Sequence, residues 1–151
     1  MLMTISIVAL GVVAILGVIF YRRFAAERIE RVMERHRKNA RLVTRGSFVD
    51  GNRRVDVALA LDDSTFYYEN SDTQGSIDLE WVREIEYANE LATGGAVAGG
   101  KVLRLRSQSQ VFEFVLPDAI VAKWHTMLPR RPTVASAAST QRYQAAAGSG
   151  L

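Results

Sequence analysis

RRVDVALALDDSTFYYEN, Arg53–Asn70, alternates with a period of two. Val55, Val57, Leu59 and Leu61 fall on one face, with Asp56, Ala58 and Ala60 on the other, as in a strand with one side on a core. Asp62-Asp63-Ser64 supplies turn chemistry, and Thr65–Glu69, holding Phe66, Tyr67 and Tyr68, is the returning strand. A β-hairpin therefore lies at the centre of the chain.

Downstream the pattern repeats. Asn70–Gly75 is a second turn, after which Ile77, Leu79 and Trp81 alternate with Asp78 and Glu80, and Val82–Tyr87 continues as a strand beyond a bend. A glycine-rich loop, Thr93–Gly100, leads to a hairpin of Val102–Ser107 and Gln110–Leu116 around Gln108-Ser109. Leu103, Leu105, Phe112, Phe114 and Leu116 face inward, while Arg104 and Arg106 share the outer face with Glu113 as a cross-strand ion pair. Tyr67, Tyr68 and Trp81 are assigned to the core. Pro117 and Asp118 suit the first turn of a helix, whose apolar stripe is Ile120, Trp124, Met127 and Leu128 and whose stop is Pro129. A single Trp-bearing helix of this kind can cover the mouth of a small barrel or sandwich.

Upstream the period is helical. Residues 21–43 lack Gly and Pro, and Ala25, Ile29, Val32, His36, Ala40 and Val43 recur at helical steps. This stripe could seat on the globular domain, line a short coiled coil or rest on a membrane surface. Residues 1–21 carry no charge, and about twenty such residues match the ~30 Å hydrocarbon core of a bilayer. No Lys or Arg precedes the run and Phe24-Ala25-Ala26-Glu27 makes a poor cleavage site, so an uncleaved single-pass transmembrane helix is expected in place of a signal peptide. Residues 22–45 hold nine Lys/Arg against three Glu, a net of +6, whereas residues 46–151 sum to −3. Basic flanks face the cytoplasm, so the expected location is the inner or plasma membrane, N-terminus outside and C-terminal domain cytoplasmic. The basic cluster of this juxtamembrane helix is Arg22, Arg23, Arg28, Arg31, Arg35, Arg37 and Lys38. It serves either anionic-lipid attraction or topology and solvation.

The same charge asymmetry removes the high pI as an argument for nucleic-acid binding, and none is expected. With no cysteine, disulfides, thiolate metal sites and cysteine nucleophiles are excluded. Gly95–Lys101 fits GxxxxGK, but Val102 stands where magnesium binding needs Ser or Thr, and a strand follows where a helix is required. It is taken as a flexible inter-strand loop. His125 lacks a paired nucleophile, and Asp62-Asp63 and Asp78/Glu80 lack calcium-loop spacing, so no catalytic, metal or cofactor site is assigned. Residues 132–151, rich in Ala, Ser, Thr, Gln and Gly, are expected to form a disordered tail.

Six or seven antiparallel strands closed by one helix resemble the pleckstrin-homology-like superfold, in particular its GRAM and bacterial PH branches. The residues that carry the resemblance are Arg53–Asn70, IDLEWVREIEY (Ile77–Tyr87) and FEFVLPDAIVAKWHTML (Phe112–Leu128). The expected chain is thus a transmembrane helix (1–21), a basic helix (22–45), a mainly β PH-like barrel or sandwich with one C-terminal helix (46–131) and a tail. The resemblance implies a non-enzymatic binding and scaffolding module for proteins or phosphoinositides. Phosphoinositide-binding members are basic on the first two strands and their loop; here that region has Arg53 and Arg54, flanked by Asp50 and Asp56. The expected function is a cytoplasmic protein–protein interaction module, a role that an accessory subunit of a membrane complex would fit, with exposed sheet edges and the Arg53/Arg54 loop as its surfaces. The alternative is an anionic-lipid sensor that combines basic helix and domain. Protein partner and oligomeric state are left open.

Overall fold

A computed structural model describes residues 2–108 and 110–131, with the backbone alone for residues 2–14 and Arg22. The tail expected over 132–151, and Ser109 of the hairpin turn, lie outside the described residues. Helix α1 (Leu2–Arg37) precedes seven strands, β1 (Leu42–Asp50), β2 (Arg53–Leu61), β3 (Thr65–Glu69), β4 (Gln74–Asp78), β5 (Val82–Ala88), β6 (Gly100–Ser107) and β7 (Gln110–Pro117), and helix α2 (Asp118–Met127) ends the fold. All strand pairs are antiparallel in the order β4-β3-β2-β1-β7-β6-β5, a half-barrel in which β1 joins both halves and β4 and β5 are the edges. This mostly-β half-barrel with a C-terminal helix is compatible with a PH-like fold.

The inner face holds Val57, Leu59 and Leu61 from β2, Phe66, and Leu103, Leu105, Phe114 and Leu116 from the last hairpin. Helix α2 closes the core with Trp124, which is fully buried and packs on Phe66 at 5.3 Å between ring centroids. Its indole Nε1–H donates to Thr44 Oγ1 at 3.0 Å, tying the helix to β1. Strand β2 is buried at five consecutive positions, Val57–Leu61, because its outer face is covered too. Ile29, Val32 and Met33 of α1 seat on Ala58 there, beside Val43. Alanine at the outward position of β2 lets a helix come this close.

Three expectations are corrected. Among the described residues no helix is long and apolar enough to cross a membrane, so the transmembrane helix assigned to residues 1–21 is withdrawn. The helix does not end where the charges begin: α1 runs unbroken through them to Arg37. Second, the helix expected to Val43 stops at Arg37, and Leu42–Asp50 is a full strand. Third, Trp81 is 56% exposed, not core. Asp78 Oδ1 accepts from the Glu80 backbone N–H and starts a 3₁₀ turn over Leu79–Trp81. That turn breaks the two-residue period, keeping Leu79 inside and sending Trp81 out.

Candidate interaction surfaces

Among the described residues the two edges of the half-barrel are unpaired, and they differ. Strand β4 is short, and its Gly75 lies where a Cβ would be 2.2 Å from the Tyr68 ring. Strand β5 is longer and borders a groove. The register against β6 slips between Val82 and Glu84, leaving Arg83 as the extra residue of a bulge. Beyond the bulge, Glu84 and Glu86 turn to the outer face and Ile85 and Tyr87 to the inner one.

On the outer face the carboxylates are all engaged. Glu84 meets Arg106 at 3.0 Å, and Arg104 lies between Glu86 at 2.7 Å and Glu113 at 2.8 Å. Burial opposes the Arg104 charge, but hydrogen bonds and attraction from Glu113 and Glu86 outweigh it and raise its pKa. The expected Arg104–Glu113 pair is thus part of a larger clamp. Glu113 also accepts the Ala92 backbone N–H, and Arg104 donates to the Glu90 carbonyl. The loop between β5 and β6 is consequently tied down along its length, with Glu90 bridged to Ala96. Lys101 stands in β6 and bonds Asn89, and no helix begins at Gly95–Lys101.

On the inner side, β5 and the end of α2 diverge to leave a groove of about 450 Å³ lined by Ile85, Tyr87, His125, Leu128, Pro129, Arg130 and Arg131. Ile85 and Leu128 form an apolar floor. The rings of Tyr87 and His125 lie 5.4 Å apart. Tyr87 Oη is buried without a hydrogen-bond partner among the described residues, and burial pushes its pKa up to about 12. Arg130 and Arg131 form no ion pair among the described residues, and the lining contains no carboxylate. An apolar floor and a basic wall beside a strand edge that is unpaired among the described residues suit an extended chain.

The residues singled out from the sequence lie elsewhere. Arg53 and Arg54 are exposed at the β1–β2 turn and line a cleft of about 670 Å³ with Tyr21, Ala25 and Ile29 of α1 and Asn70–Asp72. The fold separates the basic cluster into spent and free charges. Arg35 and His36 both contact Glu69 at 3.1 Å, and Arg37 bridges Glu34 and Glu30. Arg23, Arg28, Arg31 and Lys38 are exposed without an ion pair among the described residues, and the side chain of Arg22 is not described. The helical stripe divides likewise: Ile29, Val32 and His36 seat on the sheet, with His36 5.5 Å from the Tyr67 ring.

No protein-family model, curated protein or solved structure matches the chain. Geometry therefore carries the functional argument. Sequence reasoning did not single out Tyr87, Arg130 and Arg131 for the groove, and it considered His125 only as a catalytic base without a nucleophile. The available signal was Arg130-Arg131 directly after the helix-ending Pro129: a basic pair leaving α2 beside whichever strand lies at the edge.

Proposed function

We propose that this protein is a non-enzymatic, PH-like interaction module that binds a protein partner by adding an extended segment to β5. The observation that carries this reading is the coincidence of an unpaired edge strand with a groove whose floor is apolar. Main-chain bonding along Ile85–Ala88 supplies affinity, and the groove selects alternate side chains of the added strand. The bulge at Arg83 limits indiscriminate pairing to one end of the edge, and charged Glu84 and Glu86 are held on the opposite face. Random segments of about ten residues, a long strand's length, displayed and selected against the full chain, should yield binders that slow amide exchange over Val82–Ala88. Binders whose protection falls only on β4 or on the β1–β2 turn would sink the reading.

A second reading is favoured by the cleft at Arg53 and Arg54, two guanidinium groups with no ion pair among the described residues, which α1 borders through Tyr21, Ala25 and Ile29. Such a surface suits anionic lipid headgroups, each base contributing about 1 kcal/mol near the surface. An Arg53→Gln/Arg54→Gln double variant should then bind phosphatidylserine vesicles about thirtyfold more weakly, with binding falling as salt rises. Equal binding to zwitterionic vesicles would remove this reading.

A further inference from the structure

We infer that the segment received by the β5–α2 groove is acidic: an apolar side chain placed over Ile85 and Leu128, followed by an Asp or Glu carboxylate held by Arg130 and Arg131. The inference rests on the β5 reading and adds the chemistry of the partner. Charge complementarity chooses this occupant. Three of the seven lining residues, His125, Arg130 and Arg131, are basic or protonatable, and none is acidic. Both nearby carboxylates of β5 are committed to Arg104 and Arg106 on the other face, so they do not neutralise the groove from within. Of the two arginines, Arg131 also borders an adjoining hollow with Asp62, Asp63 and Glu80, which leaves Arg130 as the more exclusive contact.

Tyr87 adds its ring and not its hydroxyl to this surface, because Oη is buried out of reach of an added strand. The chain's own residues 132–151 follow Arg131 in sequence, but they contain no Asp or Glu and one Arg, Arg142. Their side chains do not complement the groove, which points to a separate acidic partner.

The test uses the full chain and the sequences enriched by the display selection. Each enriched peptide is synthesised as found and with every Asp and Glu replaced by Asn or Gln, and binding is followed by fluorescence anisotropy. Enrichment of acidic residues is expected, with the amide forms binding about tenfold more weakly, as befits loss of a charge-assisted pair. In Arg130→Gln/Arg131→Gln the two forms should bind alike while the amide form keeps its affinity. Acidic preference that persists in the arginine double variant overturns the inference, as does competition by a synthetic 132–151 peptide. Peptides that protect β5 without any acidic bias overturn the inference and leave the β5 reading intact. Peptides that do not protect β5 end both.

Discussion

Replacing Trp124 with alanine should destabilise the domain by about 4 kcal/mol, the range for emptying a large aromatic site in a packed core. Trp124 has no exposed surface, packs on Phe66, and is the side chain through which α2 closes the open end of the half-barrel. The loss has two parts that can be separated. Thr44→Val keeps the volume but leaves the indole N–H buried without its acceptor, which costs about 1–3 kcal/mol. Trp124→Phe keeps most of the packing and leaves only the Thr44 hydroxyl unpaired, so its cost should fall well below that of alanine. Urea denaturation at constant slope measures all three. A Trp124→Ala variant within 1 kcal/mol of the parent would mean that α2 is not what seals the core. The groove depends on the same contact, because α2 supplies one of its walls: near its midpoint of unfolding, Trp124→Ala should also lose peptide binding.

What could be foreseen followed how local each cause was. The hairpin of β2 and β3, the last hairpin and α2 each advertise themselves by period, turn residues and a helix-starting Pro-Asp, and all three are present. The first strand was hidden for a non-local reason. Leu42–Asp50 is interrupted by Arg45-Gly46-Ser47, and a glycine there weakens the strand signal. The need for glycine is visible only in three dimensions: a Cβ at Gly46 would lie 2.5 Å from Leu59 Cδ1 and 3.0 Å from the Val115 carbonyl oxygen. Strand β1 sits between the two halves of the sheet, and close approach on both sides excludes a side chain.

The same distinction explains the site. Ala58 looked like an outward-facing filler, yet it is the floor on which α1 lands. Trp81 looked inward because alternation was extended through a turn that Asp78 creates. The β5 groove could not be read because it joins Ile85 and Tyr87 to residues about forty positions later, and which strand is an edge is a property of topology. The apolar N-terminal run suggested a span by composition, whereas among the described residues no helix is long and apolar enough to cross a membrane.

Arg104→Ala should cost about 3 kcal/mol, because removing one member of a buried ion cluster leaves the others uncompensated. Glu113 is 7% exposed and has Arg104 as its only cationic partner among the described residues, while Glu86 is freer to reach water. A double variant, Arg104→Met with Glu113→Leu, should recover most of that stability, since apolar replacement of a buried pair is often neutral. It should not recover the loop. Glu113 also accepts the Ala92 N–H and Arg104 the Glu90 carbonyl, so amide exchange over Asn89–Gly99 should quicken in both variants. Denaturation and exchange together then separate two roles for one cluster. A double variant as unstable as the single would mean that the ions themselves hold the sheet. Recovery of stability with a loosened loop would mean that they serve geometry, pinning the β5–β6 connection and keeping the carboxylates of β5 turned away from its open edge.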